Sequence, residues 1–553
     1  MSSRNLNRRG FLGAAGAAGI TVAGGGALAA CSTGPGMAKG GGAEASARLK
    51  LPAYVPAKTA APDLPGNGRG LDPAYLRYPA NPTRSVSGVP GDGKPVTVLT
   101  ETFTTAAPAM NRNAYWQELN KRLGSELSMT IVNGLGAEDV YRAKFNATVA
   151  GGDLHDLMWF PPNQGLKNVP ALLAAKFHDL TPYLGGDAVR KYPNLANIPD
   201  FAWRTAVFNG KLWGVAVPYG RMGQVYVANE DFWKPVGGAR FDSAQDFLDK
   251  GKELLDTKRK KYVLEPAYVN HINQFALWYG APNGWRLDGD KLTHTFETDE
   301  FLAGLEFALK CQQAQLFWPD PNLATTLEKL EGGFLGAHVQ SFPGFLNDSA
   351  MYDWPAKVIV PFAAEPGAEP SFNFGYGSVG FTAINNKVPK DRIDTLLQVM
   401  NYLCAPFGTT ERLFLDYGTE GTHHTRSKDG DVMLNAKGNA EVLTTRQAIT
   451  FFGNSPQALY LPGKPQITSA IHQTEVELMK LARINPTTGL FSDTSSNKGA
   501  SASGDFYSAL TDLVAGRKPL SSFKKEILPA WQRAAGDAMR REFEKAIAQG
   551  GGK

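Results

Sequence analysis

Pro95-Val96-Thr97-Val98-Leu99-Thr100 and Leu154-His155-Asp156-Leu157-Met158-Trp159-Phe160 are the two runs whose reading decides the fold. The first is short, apolar and β-branched, as a buried strand requires. Between the two runs, Trp116, Leu119, Leu123 and Leu127 recur at helical spacing, and Ser128 to Val132 reads as a further strand. Tyr141, Phe145 and Val149 then fall four apart before a Gly151-Gly152 stop. Strands alternating with helices in this way predict βαβ units: a parallel sheet covered on both faces, with ligand sites at the carboxyl ends of its strands.

Working outward, residues 244–255, 300–316 and 392–403 are helical in pattern, while 358–362 and 380–384 are strand-like. No stretch repeats at a fixed period, which excludes a solenoid. A chain of 553 residues exceeds what one core holds, so at least two domains are expected.

Upstream, Arg4, Arg8 and Arg9 precede an uncharged run from Phe11 to Ala30, an address to be removed and not part of the fold. Asn7-Arg8-Arg9-Gly10-Phe11-Leu12 resembles a twin-arginine export signal, with Asn7 and Gly13 as departures from it. Leu28-Ala29-Ala30-Cys31 resembles a bacterial lipobox, which makes Cys31 the expected lipidation site. A membrane span is the competing account of 11–30, since a span needs roughly 20 apolar residues; six glycines in that run weigh against it. Residues 31–92 read as a Gly/Pro-rich linker, a tether as far as Lys50. Beyond it, Tyr54, Leu64, Tyr75 and Tyr78 leave open whether the linker floats or lies extended on the globule. Of the formal charge of +5, three units belong to the signal arginines, and what remains excludes nucleic acid as a partner.

Several segments together resemble the family 1 extracellular solute-binding proteins of ABC transporters. They are Lys144 to Leu157, with its Gly-Gly-Asp turn; Phe177 to Leu184; and Asn209 to Tyr219. Tyr226 to Phe232, Phe241 to Phe247 and Gly332 to Val339 follow in the family's order. Asp416 to His423 and the closing Trp531 to Phe543 helix resemble the larger oligosaccharide-binding subgroup. The resemblance implies a periplasmic-binding-protein-like α/β fold, with two discontinuous lobes that hinge around a ligand cleft. It puts lobe 1 at 93–219 plus 346–440 and lobe 2 at 220–345 plus 441–553. It implies capture of a carbohydrate, delivery to ABC permease subunits, a lipid-anchored monomer outside the cytoplasm, no cofactor or metal, and no catalysis. Cys311 and Cys404 then fall on different lobes and are expected to stay unpaired, because a disulfide needs Cα atoms within about 7 Å.

A sugar offers hydroxyls to planar polar side chains and C–H faces to aromatic rings. By position the candidates are Glu101 and Phe103 after the first strand, Trp159 and Asn163 at the third, and Tyr219 and Arg221 at the first crossing. Asn273 and Trp278 in the second lobe, Gln340 at the return crossing and Tyr376 complete the set. Arg221 could equally pair with the carboxylate of an acidic sugar.

Other motifs carry less. Gly375-Tyr376-Gly377-Ser378-Val379-Gly380 has dinucleotide-fingerprint spacing, but a strand-like run follows it where a helix would be needed. His423-His424 lacks the spacing of a helical metal pair, and there is no His-Glu-x-x-His and no Gly-x-Ser-x-Gly elbow. A secreted carbohydrate-active hydrolase remains the alternative, since a glycosidase pair is not excluded by counting carboxylates.

Overall fold

The computed structural model describes Ser46 and residues 49–134, 140–162, 166–320, 326–351 and 356–549; Cys31, the expected signal and Asn163 lie outside them. The fold is that of the described residues within Gly42–Lys553.

Two sheets are built from β1 (Val96–Thr102), β2 (Leu127–Asn133), β3 (Leu157–Phe160), β4 (Val215–Pro218), β5 (Gln224–Asn229), β6 (Tyr262–Leu264), β7 (Leu335–Ser341), β8 (Ala356–Ile359) and β9 (Ser378–Ile384). The first sheet has the order β2-β1-β3-β9-β4 and the second β8-β5-β7-β6. The βαβ reading of 95–160 corresponds to β1, β2 and β3, all parallel. The sheet as a whole is mixed, because β9 is antiparallel to β3 and β4. The reason is topological: β3 and β4 run toward the second lobe, and β9 is the chain coming back from it.

Local chemistry sets the element ends. Helix α1 (Ala114–Leu123) begins where the Asn113 side chain accepts the Trp116 N–H, and stops at Gly124, whose φ of 66° is left-handed. It therefore ends short of Leu127, the last residue of its apolar spacing. In β5, Tyr226 and Ala228 enter the main core of the second lobe, while Val225 and Val227 enter a separate cluster on the other face. Strand alternation thus buries both faces of that sheet.

The observed lobe limits correct the expected ones. β8 pairs with β5, so residues 356–359 belong to the second sheet and not to lobe 1. Val442, Ile449, Phe451 and Phe452 pack in the first core, so 441–452 do not belong to lobe 2. Cys311 and Cys404 are free, buried in the second and first cores respectively. No helix among the described residues is long and apolar enough to cross a membrane.

The described part of the linker lies extended on the globule. The Ala53 N–H donates to the Gly186 carbonyl (2.9 Å) and that of Val55 to Ala196 (2.8 Å), both on the first lobe. Ala74 then enters the cluster behind the second sheet, and the Tyr75 N–H donates to Leu459 at 2.8 Å. Thr83 returns to the first lobe at Gly408.

Candidate functional site

β1, β3 and β4 end, and β9 begins, along one edge of the first sheet; the pairs Phe381–Phe160 and Ser378–Pro218 fix that alignment. The chain leaves this edge for the second lobe after Pro218, comes back between Phe374 and Ser378, and leaves again between Gly453 and Leu459. The crossings are tied together. The Tyr219 N–H donates to Gly377 (3.0 Å), the Gly375 N–H to Arg221 (2.7 Å), and the Asn454 amide to Pro218 (3.1 Å). On the other side, the carboxyl ends of β6 and β7 meet the start of β5.

Arg221 is buried, with its guanidinium between the rings of Phe201 (4.5 Å) and Phe374 (4.1 Å). It donates to the carbonyls of Arg69 (2.7 Å) and Gly375 (3.2 Å), and burial pulls its pKa down to about 10. With Tyr219 it lines a cavity of about 450 Å³ roofed by the linker residues Tyr54 and Tyr75. Trp159 does not join them. It is 3 % exposed, its indole N–H donates to the Val379 carbonyl (2.9 Å), and it packs between Tyr141 and Phe451 with centroids 5.0 and 5.1 Å away. A cleft face shared by Trp159, Tyr219 and Arg221 is therefore not what the structure shows.

Phe103 is 42 % exposed and stands 5.4 Å from Phe451. Its loop is held by Gln447 Oε1, which accepts the Phe103 N–H (3.2 Å) and the Thr102 hydroxyl (3.0 Å). Glu101 is buried beneath; a Cβ on Gly134 would come within 2.5 Å of its Oε1, so the carboxylate would have to shift. Trp278 is a core residue, 4.3 Å from Phe362 and 4.9 Å from Phe275. The Asn273 side chain bonds to Tyr507. Gln340, at the carboxyl end of β7, donates to Asp348 (3.4 Å) and accepts the Ser341 N–H (2.9 Å).

Tyr376 is placed in a cavity of about 430 Å³ between the lobes. The first lobe and the crossings contribute Phe160, Pro162, Arg204, Phe208 and Tyr376; the second contributes Trp285, Asn485, Thr487, Phe491, Ser492, Ser496 and Phe543. His294 also lines it, and burial pulls its pKa down to about 3, leaving a neutral ring. Rings on several sides with hydroxyls and amides between them suit a polyol with apolar faces. Sequence reasoning missed Arg204, Phe208 and Phe491. The ring of Phe491 meets that of Phe208 at 6.0 Å only through the fold, and its segment has no periodicity to flag it. Among the described residues no cluster of His, Cys, Asp and Glu could hold a metal ion.

Two α/β lobes, three crossings and a cavity between them are the fold of the ABC-transporter solute-binding proteins, the fold that the sequence motifs resemble. No protein-family profile matches the chain. It is similar to lipoprotein LipO of Bacillus subtilis (strain 168), 22 % identical over 461 residues that span 77 % of this chain and 87 % of LipO. It is also similar to the polygalacturonan/rhamnogalacturonan-binding protein YtcQ of the same organism, 20 % identical over 456 residues, 78 % of this chain and 88 % of YtcQ. Among solved structures it resembles an HMO-binding, ABC-transporter-associated solute-binding protein from Bifidobacterium longum infantis. That match has a TM-score of 0.61 at 15 % identity and covers 84 % of this chain and 100 % of that one.

Proposed function

We propose that the protein is an extracytoplasmic solute-binding lipoprotein that captures an oligosaccharide between its lobes and delivers it to the permease subunits of an ABC importer. The observation that carries this reading is the interlobe cavity, lined by Phe208, Tyr376, Trp285 and Phe491 and interleaved with hydroxyl and amide side chains. The names of YtcQ and of the Bifidobacterium protein, both binders of saccharides, support the same substrate class. A hinged pair of lobes suits capture and release, because closure surrounds the ligand and opening frees it. Lipid on Cys31 would hold the protein at the membrane, with the linker as far as Lys50 as tether.

The test is a thermal-shift screen of oligosaccharides followed by calorimetry and product analysis. A true ligand at 100 times its dissociation constant should stabilise the fold by about 2.7 kcal/mol, with one site per chain and no product. Release of shorter sugars would make the protein a hydrolase, and a panel without any binder would remove the carbohydrate reading.

A further inference from the structure

Among the described residues, the charge that lines the interlobe cavity is positive. Arg204 lines it with an exposed side chain and has no ion-pair partner among the described residues. An adjoining cavity of about 290 Å³ shares Ser496 and Ala500 with it and is lined by Arg142 and Lys167. Lys167 is likewise without a carboxylate partner among those residues. No Asp or Glu lines either cavity among the described residues, although the chain carries 52 of them in 553. Arg and Lys only donate, whereas a carboxylate only accepts. A lining that carries cations and no carboxylate is the electrostatic complement of a ligand bearing carboxylates.

We propose that this cavity selects an anionic saccharide, one with uronic-acid units, and that Arg204 is the residue that reads the carboxylate. The inference rests on the capture of an oligosaccharide between the lobes. Calorimetry with a galacturonic-acid trisaccharide and with its carboxyl-reduced, neutral counterpart tests it, on the full soluble chain and on Arg204→Gln and Lys167→Gln. The acidic trisaccharide should bind at least tenfold tighter than the neutral one, with an affinity that falls as salt rises. Arg204→Gln should remove most of that gap while circular dichroism shows the fold retained. Equal or tighter binding of a neutral saccharide, or a gap untouched in Arg204→Gln, overturns the proposal and leaves the transport reading standing. If no saccharide of the wider screen binds either, the carbohydrate reading on which this proposal rests falls with it.

The linker carries an independent inference. It is attached to the first lobe by Ala53, Val55 and Thr83, and between these points to the second lobe around Ala74. Gly70 packs so closely on Phe374 that a Cβ would lie 2.1 Å from the ring, at a φ of +135°. The Asp72 N–H donates to Glu475 Oε2 (3.1 Å) on the helix Pro465–Leu481, and Asp72 Oδ2 and Glu475 Oε1 are buried with no hydrogen-bond partner.

We infer that the linker is a strap that bridges the lobes and is latched to the second by the Asp72–Glu475 carboxyl pair. Burial raises both carboxyls, and the charge of Asp72 raises Glu475 further, so the docked pair retains a proton that the free groups would lose. The neighbouring basic side chains bond elsewhere. The His472 ring on the same helix donates to the Pro65 carbonyl (3.3 Å), and Arg221 at the crossing donates to that of Arg69. On the strap itself, Asp63 accepts the Leu76 N–H. Because the docked values are raised, attachment is strongest in acid and is lost as pH rises. Hydrogen exchange of the full chain, corrected for intrinsic rates, should show the amides of Asp72, Ala74 and Tyr75 at least tenfold less protected at pH 9 than at pH 6. Glu475→Gln and Asp72→Asn should flatten that difference. Amides unprotected at both pH values would overturn the strap, and protection equal at both would overturn the latch.

Discussion

Arg221 shows how a side chain can look like a ligand contact and serve the scaffold. Its two strong hydrogen bonds end on backbone carbonyls, one from the linker and one from a crossing, and two rings cover its faces. Arg221→Ala should therefore destabilise the fold by about 2–4 kcal/mol, from two charge-assisted bonds and the stacked rings. Urea unfolding measures this, and Arg221→Lys should recover little, because an ammonium cannot reproduce the planar fork. Side-chain direction is what the sequence conceals at this scale. Trp159 and Phe160 are neighbours that strand alternation sends to opposite faces of β3, and both end in the first core, one beside Phe451 and the other stacked on Phe381. The same concealment separates Phe103, which is exposed, from Glu101 beneath it.

Elements were far more legible than side chains. β1, β2, β3 and β9, α1, and the helices Ala244–Leu254, Asp299–Gln313 and Ile393–Leu403 follow from periodicity, because each buries a regular face. Short segments held by long-range contacts did not announce themselves. The turn Thr295–Glu297 is one: His294 caps it, with Nδ1 accepting the Phe296 N–H, inside a cage of Trp285, Phe296 and Trp531. Burial lowers this histidine to about 3, against about 6.5 for a free one. A folded-state value that is depressed gives stability that is present above pH 6.5 and lost as pH falls toward 3. Between pH 6.5 and 4 the loss through this residue is roughly 3 kcal/mol, at about 1.4 kcal/mol per unit. His294→Asn keeps an acceptor for the cap without titrating, so its melting temperature should fall less steeply over that range than that of the wild type. Parallel slopes in a differential-scanning series would refute it.

The two-lobe design was visible in the order of motifs, but its seams were not, since a lobe limit depends on which sheet a strand joins. The 356–359 strand is apolar enough for either sheet, and only its pairing with β5 assigns it. The central place of β9 in the first sheet also has a consequence for the order in which the protein is made. Between β3 and β4 there is a gap that only residues 378–384 fill, and the helix Thr444–Thr450, which covers β1 through the Thr100 hydroxyl and the Ala448 carbonyl, comes later still. A ribosome must therefore translate past residue 450 before the first lobe, begun at residue 96, is complete. A chain truncated after residue 370 should be insoluble or protease-sensitive throughout, its unpaired β3 and β4 presenting open edges to other chains. Recovery of a soluble, protease-resistant fragment covering 96–218 would show instead that the early strands close without β9. For the intact protein, the lobe that starts first stays open while the chain crosses to the second lobe and back, and the nascent chain depends on whatever shelters it in the interval.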